Sequence, residues 1–164
     1  MTIEPVNNID KTNKSIDEFV KATCLLLIQH YRNIIKLRES TNESIGYHSR
    51  LLERMLHPEE RLILKGFSKR AKEENRIYKE HIVPLGYLAN EIWKVLEENK
   101  LSDQECADLL YKHLGIAIIT PDEARLVDVE NGLKVCMPER WVFGKDDPLD
   151  RFKHCGIELE GVDS

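Results

Sequence analysis

Along the first third of the chain, apolar residues recur at intervals of three and four. Ile16, Phe19, Val20, Cys24, Leu27, Tyr31, Ile34 and Ile35 fall on one stripe, and that period predicts a helix from Ser15 to about Arg38. Ser15-Ile16-Asp17-Glu18 reads as a capping box, in which serine and glutamate satisfy the first free amides. Leu25, Leu26 and Ile28 widen the stripe, so the helix is either central to the fold or part of a dimer interface. Central burial is the plainer expectation, with a homodimer through residues 15–38 as the alternative.

Ser40 to Ser44 reads as a turn. A second helix is predicted from Ile45 to Leu56, carrying Leu51, Leu52, Met55 and Leu56. A third opens at Pro58, whose missing amide hydrogen costs nothing in a first turn. Its anchors are Leu62, Ile63, Leu64 and Phe67, and it weakens near Ala71. Gly46 and Gly66 count against the continuity of both helices. Beyond Pro84, Leu85, Leu88, Ile92, Trp93, Val95 and Leu96 define a broad helical face ending near Asn99. Ser102-Asp103-Gln104-Glu105 is a second capping box, opening a helix with Cys106, Leu109, Leu110, His113 and Leu114 that Gly115 stops.

Then the period changes. Ile116-Ala117-Ile118-Ile119 is short, apolar and largely β-branched, which favours a strand. Thr120-Pro121-Asp122-Glu123 looks like a helix start, with a capping threonine, an early proline and acids at the positive dipole end. Asn131-Gly132 is a preferred hairpin turn. The reading adopted is a short helix from Pro121, then a strand over Leu133–Met137 that pairs back onto Ile116–Thr120. Asp147-Pro148 starts a last helix that stops at Gly156. Together these predict a mainly α (α+β) fold: a helical bundle core with a small late β element. Residues 1–14 are expected to form a flexible arm, 15–157 a single helix-rich domain, and 158–164 a mobile acidic tail.

Composition narrows the classes. Of 164 residues, 41% are hydrophobic and 32% charged, the balance of a soluble globular protein. The formal net charge of -5 argues against a surface that grips nucleic acid everywhere, though a local basic patch is compatible with it. Cys24, Cys106, Cys136 and Cys155 are scattered in a chain large enough to fold without staples, and read as reduced thiols. No secretory pattern opens the sequence, and the run Cys24–Ile28 is far too short to cross a bilayer. A cytoplasmic protein with no membrane partner is expected.

One stretch hints at chemistry. Glu80-His81-Ile82-Val83-Pro84, followed by Leu85 and Leu88, resembles the first strand of HNH-type (ββα-metal) nucleases. The resemblance implies that Glu80 holds a divalent metal (Mg, Mn or Zn) and that His81 is the general base on the attacking water. It also implies a β-hairpin packed against a helix that bears a further Asn or His. Asn90, Asn99 and His113 are the downstream candidates; the second half of the motif is not otherwise found. The plainer reading is a connector, with Val83 extended before proline and His81 hydrogen-bonded to the backbone.

Arg61, Lys65, Lys69, Lys72, Arg76 and Lys79 lie just before that stretch. In a helix, the first four share one face and could track the phosphates of a nucleic acid. Glu59, Glu60, Glu73 and Glu74 are interleaved or adjacent, which fits a mixed-charge solvated face. Arg140, Trp141 and Phe143 sit in a proline-bearing stretch with the composition of a protein interface, or of a cap on the core. Paired zinc-ligand spacings, glycine-rich phosphate loops and serine-nucleophile motifs are absent. The expectation is a small cytosolic helical protein that binds another macromolecule, with a protein partner, as regulator, inhibitor or adaptor. The alternative is an HNH-like metal-dependent DNA endonuclease, or an inactive relative, acting through Glu80 and His81.

Overall fold

Four short strands, β1 (Leu64–Ser68), β2 (Tyr78–His81), β3 (Ile116–Ile119) and β4 (Leu159–Glu160), form one sheet in the order β2-β3-β1-β4. The structure, a computed structural model, describes residues 6–161, with side chains described from residue 11 onward. Strand β3 runs parallel to β1 and antiparallel to β2, and β4 closes the far edge antiparallel to β1. All four residues of β3 are buried, as a strand with neighbours on both edges and packing on both faces requires.

Helices dominate around this sheet: α1 (Val6–Thr41), α2 (Leu51–Arg54), α3 (Glu59–Leu62), α4 (Lys69–Glu74), α5 (Leu85–Glu98), α6 (Asp103–His113), α7 (Pro121–Arg125) and α8 (Asp150–His154). A five-residue π-helix, Leu126–Glu130, continues α7. At a rise of ~1.5 Å per residue, α1 is about 54 Å long. It packs chiefly on α6 and then on α5, burying Val20, Cys24, Leu27, Ile28 and Tyr31. These meet Leu88, Ile92 and Leu96 of α5 and Cys106 and Leu110 of α6 in one core with Ile82, Val127 and Phe152. The fold is mainly helical with a small β element, as the patterning predicts.

Local signals are realised where chemistry is local. Ser102 and Glu105 form the predicted reciprocal cap on α6, and Thr120 and Glu123 form another on α7. Asn99 ends α5 in the left-handed conformation. Elsewhere the structure corrects the expectations. Helix α1 already runs from Val6 through the expected arm, and Ser15 donates its hydroxyl to Lys11 O instead of capping. Residues 1–5 lie outside the described residues. The second helix shrinks to α2, and the third is broken: Leu64–Ser68 is β1, because its edges pair with β3 and β4. No strand forms over Leu133–Met137; β3 instead takes β2 and β1 as partners. Leu159–Glu160 of the expected tail is β4, while 162–164 lie outside the described residues.

Gly66 shows why β1 needs its glycine. A Cβ there would stand 2.5 Å from the Glu160 carbonyl oxygen, so a side chain would push β4 off the sheet. No helix among the described residues is long and apolar enough to cross a membrane.

Candidate functional site

Glu80 and His81 end strand β2, and Pro84 opens α5 three residues later. Alternation along the strand sends their side chains to different surroundings. The Glu80 side chain is 11% exposed and accepts from Arg151 Nη1 at 2.8 Å. Arg151, on α8, is fully buried. Its Nε donates to Leu133 O at 2.9 Å, Nη1 also to His81 O at 2.6 Å, and Nη2 to Asp128 Oδ1 at 3.1 Å. One guanidinium thereby ties together β2, the π-helix, the 131–137 loop and α8. The fork geometry of arginine suits such multiple bonding, and a buried cation demands it.

His81 points elsewhere. Its Nε2 lies 2.7 Å from Glu53 Oε2 of α2, and both side chains are about a quarter exposed. Beside them opens a cleft of about 380 Å³, lined by Glu80, His81, Pro84, Tyr87, Asn90 and Lys134 among others. Asn90 is the one expected partner that reaches this cleft, and its Oδ1 already accepts from the Tyr47 hydroxyl. Asn99 caps α5 and accepts from Arg32 at 3.1 Å. His113 is buried in α6, donating Nδ1–H to Leu109 O at 2.7 Å. Among the described residues nothing bonds its buried Nε2, and burial holds the imidazole below the usual histidine value.

A divalent ion does not fit this donor set. Glu80 spends Oε1 on a guanidinium, whose charge would repel the ion, and His81 spends Nε2 on Glu53. Among the described residues, no three or more His, Cys, Asp or Glu side chains are grouped to hold a metal. Among the described residues β2 pairs with β3, from the far side of α5 and α6, rather than in a hairpin with a strand next to it in the chain.

The basic run is divided among elements, so the single helical face expected for it does not form. Arg61 lies on α3, Lys65 on β1, Lys69 and Lys72 on α4, Lys79 on β2, and Arg76 between α4 and β2. Lys69 pairs with Glu73, Lys72 with Glu160, Arg76 with Asp122 and Lys79 with Glu60. Trp141 packs edge-on to His113 and Tyr87, its Nε1 donating to Asp147 O at 2.9 Å. Phe143 lies 4.5 Å from the His113 ring centre, and Arg140 is exposed with φ 67°. Sequence reasoning missed Arg151, Asp128 and Glu53. Arg151 stands among Asp150, Lys153 and His154 in a mostly charged stretch, so nothing local marks it as buried.

Comparison with family models, curated proteins and solved structures returned no match. A functional reading therefore has to be built from the geometry.

Proposed function

We propose that this chain acts by binding another protein along the outward face of α1. The observation that carries the reading is apolar surface on that face: Phe19 and Leu26 are 50% and 56% exposed. Ala22 lies exposed between them. Ser15, Phe19, Ala22, Leu26, Gln29 and Asn33 alternate steps of four and three, the period of a helix–helix seam. Burying what Phe19 and Leu26 still expose would contribute about 2–3 kcal/mol. The free cysteines fit a reducing, cytoplasmic setting, and on this reading the buried Glu80–Arg151 pair is structural.

The test is capture from a lysate with wild-type protein and the Leu26→Lys and Phe19→Glu variants in parallel. A protein retained by the wild type and lost from both variants supports the reading; equal retention by all three defeats it. Sedimentation of the purified chain shows whether the partner is a second copy.

A second reading keeps one observation of its own: His81 ends a strand, and Asn90, on the helix after it, faces the same cleft. That layout suits an inactive relative of HNH-type nucleases, with Glu80 diverted to hold Arg151. Plasmid cleavage with Mg, Mn or Zn, abolished by His81→Ala, would instead establish an active enzyme.

A further inference from the structure

Four cations of the basic run are paired, and two are not. The side chains of Arg61 and Lys65 make no hydrogen bond or ion pair among the described residues, yet both line one pocket of about 290 Å³ between α1, α3, β1 and α6. The β1 strand and Gly115 put Lys65 there. Its stem lies across Gly115, where an added Cβ would stand 2.6 Å from Cγ and 2.8 Å from Cε. Its Nζ reaches to 5.2 Å from the centre of the Tyr111 ring.

The same ring faces Lys21 Nζ at 5.0 Å, but Lys21 is neutralised by Asp17 at 2.7 Å. Lys65 has the ring and no ion pair of its own, with Asp17 acting on it only at longer range. Burial pushes its ammonium below the usual lysine value, partly offset by Cys24 and Asp17. A half-buried cation held mainly by a ring it shares with Lys21 is poorly compensated, and an anion in the pocket would complete it.

We propose that this pocket binds a small organic carboxylate with a short aliphatic chain. Its carboxylate lies between Lys65 Nζ and the Arg61 guanidinium, and its chain against Ile16, Val20 and Ile63, which also line the hollow. Charge favours a monoanion. Asp17 and Glu60 line the pocket too; each already holds a lysine, and together they repel a second negative charge. At about 290 Å³ the hollow sits at the small end of ligand pockets and has room for a short-chain acid. Ile16 and Leu62 of this pocket also line a hollow beside Ser15 and Phe19 of the α1 seam, but Lys65 and Arg61 belong to β1 and α3 rather than to the seam, so either proposal stands without the other.

The test titrates sodium butyrate into isotope-labelled protein and follows amide shifts and intermolecular NOEs. Saturable shifts around Lys65, with NOEs from the butyrate methyl to the Tyr111 ring, are expected. Lys65→Met keeps the stem over Gly115 and deletes the charge; binding should weaken by about tenfold or more. Arg61→Gln, at an exposed position, should weaken it severalfold without touching the fold. n-Butanol, with the same chain and no charge, should not saturate. Absence of saturable butyrate binding overturns the proposal, as does equal affinity in Lys65→Met or in butanol. Inorganic phosphate binding as tightly as butyrate overturns the carboxylate assignment.

Discussion

Replacing Glu80 by alanine tests what its carboxylate does. In the folded protein it faces Arg151, which is fully buried. Removing one partner of a buried ion pair costs about 3–5 kcal/mol, because the other charge stays buried without compensation. Arg151 would keep Asp128 at 3.1 Å and the carbonyls of Leu133 and His81; these remaining partners bring the cost down to the foot of that range or just below it, about 2–3 kcal/mol. For a chain of this size, each kcal/mol shifts Tm by about 2–4 °C. Glu80→Ala should therefore lower Tm by about 4–12 °C. Glu80→Gln, which keeps an acceptor, should cost about half as much. The assay is thermal and urea unfolding followed by circular dichroism, completed by a double-mutant cycle with Arg151→Met. A Tm within about 1 °C of wild type for Glu80→Ala, or no coupling in the cycle, refutes the structural role.

Other outcomes follow from single contacts. His113 titrates below the usual value in the fold, so the unfolded chain takes up its proton first. That contribution to stability is complete above about pH 6.5 and is lost as pH falls below it; unfolding measured from pH 7.5 to 5 should show the slope, and His113→Leu should flatten it. Gly66→Ala should drive Glu160 off β1, costing about 1–3 kcal/mol and speeding hydrogen exchange at Leu159 and Glu160; unchanged exchange would count against the close approach. The Cys24 thiol is buried and pushed up to about 12, so an alkylating reagent at pH 8 should label half-buried Cys136 and Cys155 well before Cys24. Labelling of native Cys24 at a comparable rate would contradict its burial.

Much of the helical layer was legible because its signals are local. The caps at Ser102 and Thr120 need only residues three apart, and α5 announces itself through Pro84 and a broad apolar face. Strand β1 was not legible, since Leu62, Ile63, Leu64 and Phe67 also satisfy a helical period. What decides it is pairing with β3, fifty residues downstream, and with β4 near the chain end. The Asn131-Gly132 signal was outweighed as well: the π-helix runs up to it, and Leu133 gives its amide to Val127 O and its carbonyl to Arg151. The Arg151 clamp joins residues 18 to 71 positions away, and no spacing rule reaches that far. Its members were half visible: Glu80 was singled out, but for a metal rather than for an arginine.

The most direct test of the α1 reading places a photo-crosslinking residue at Ala22, between Phe19 and Leu26, and a control at exposed Gln104 of α6, in cells making the protein. A discrete adduct at position 22, absent at 104 and lost when Leu26→Lys is added, is the predicted result. No adduct at 22, or the same adducts from both positions, would contradict it.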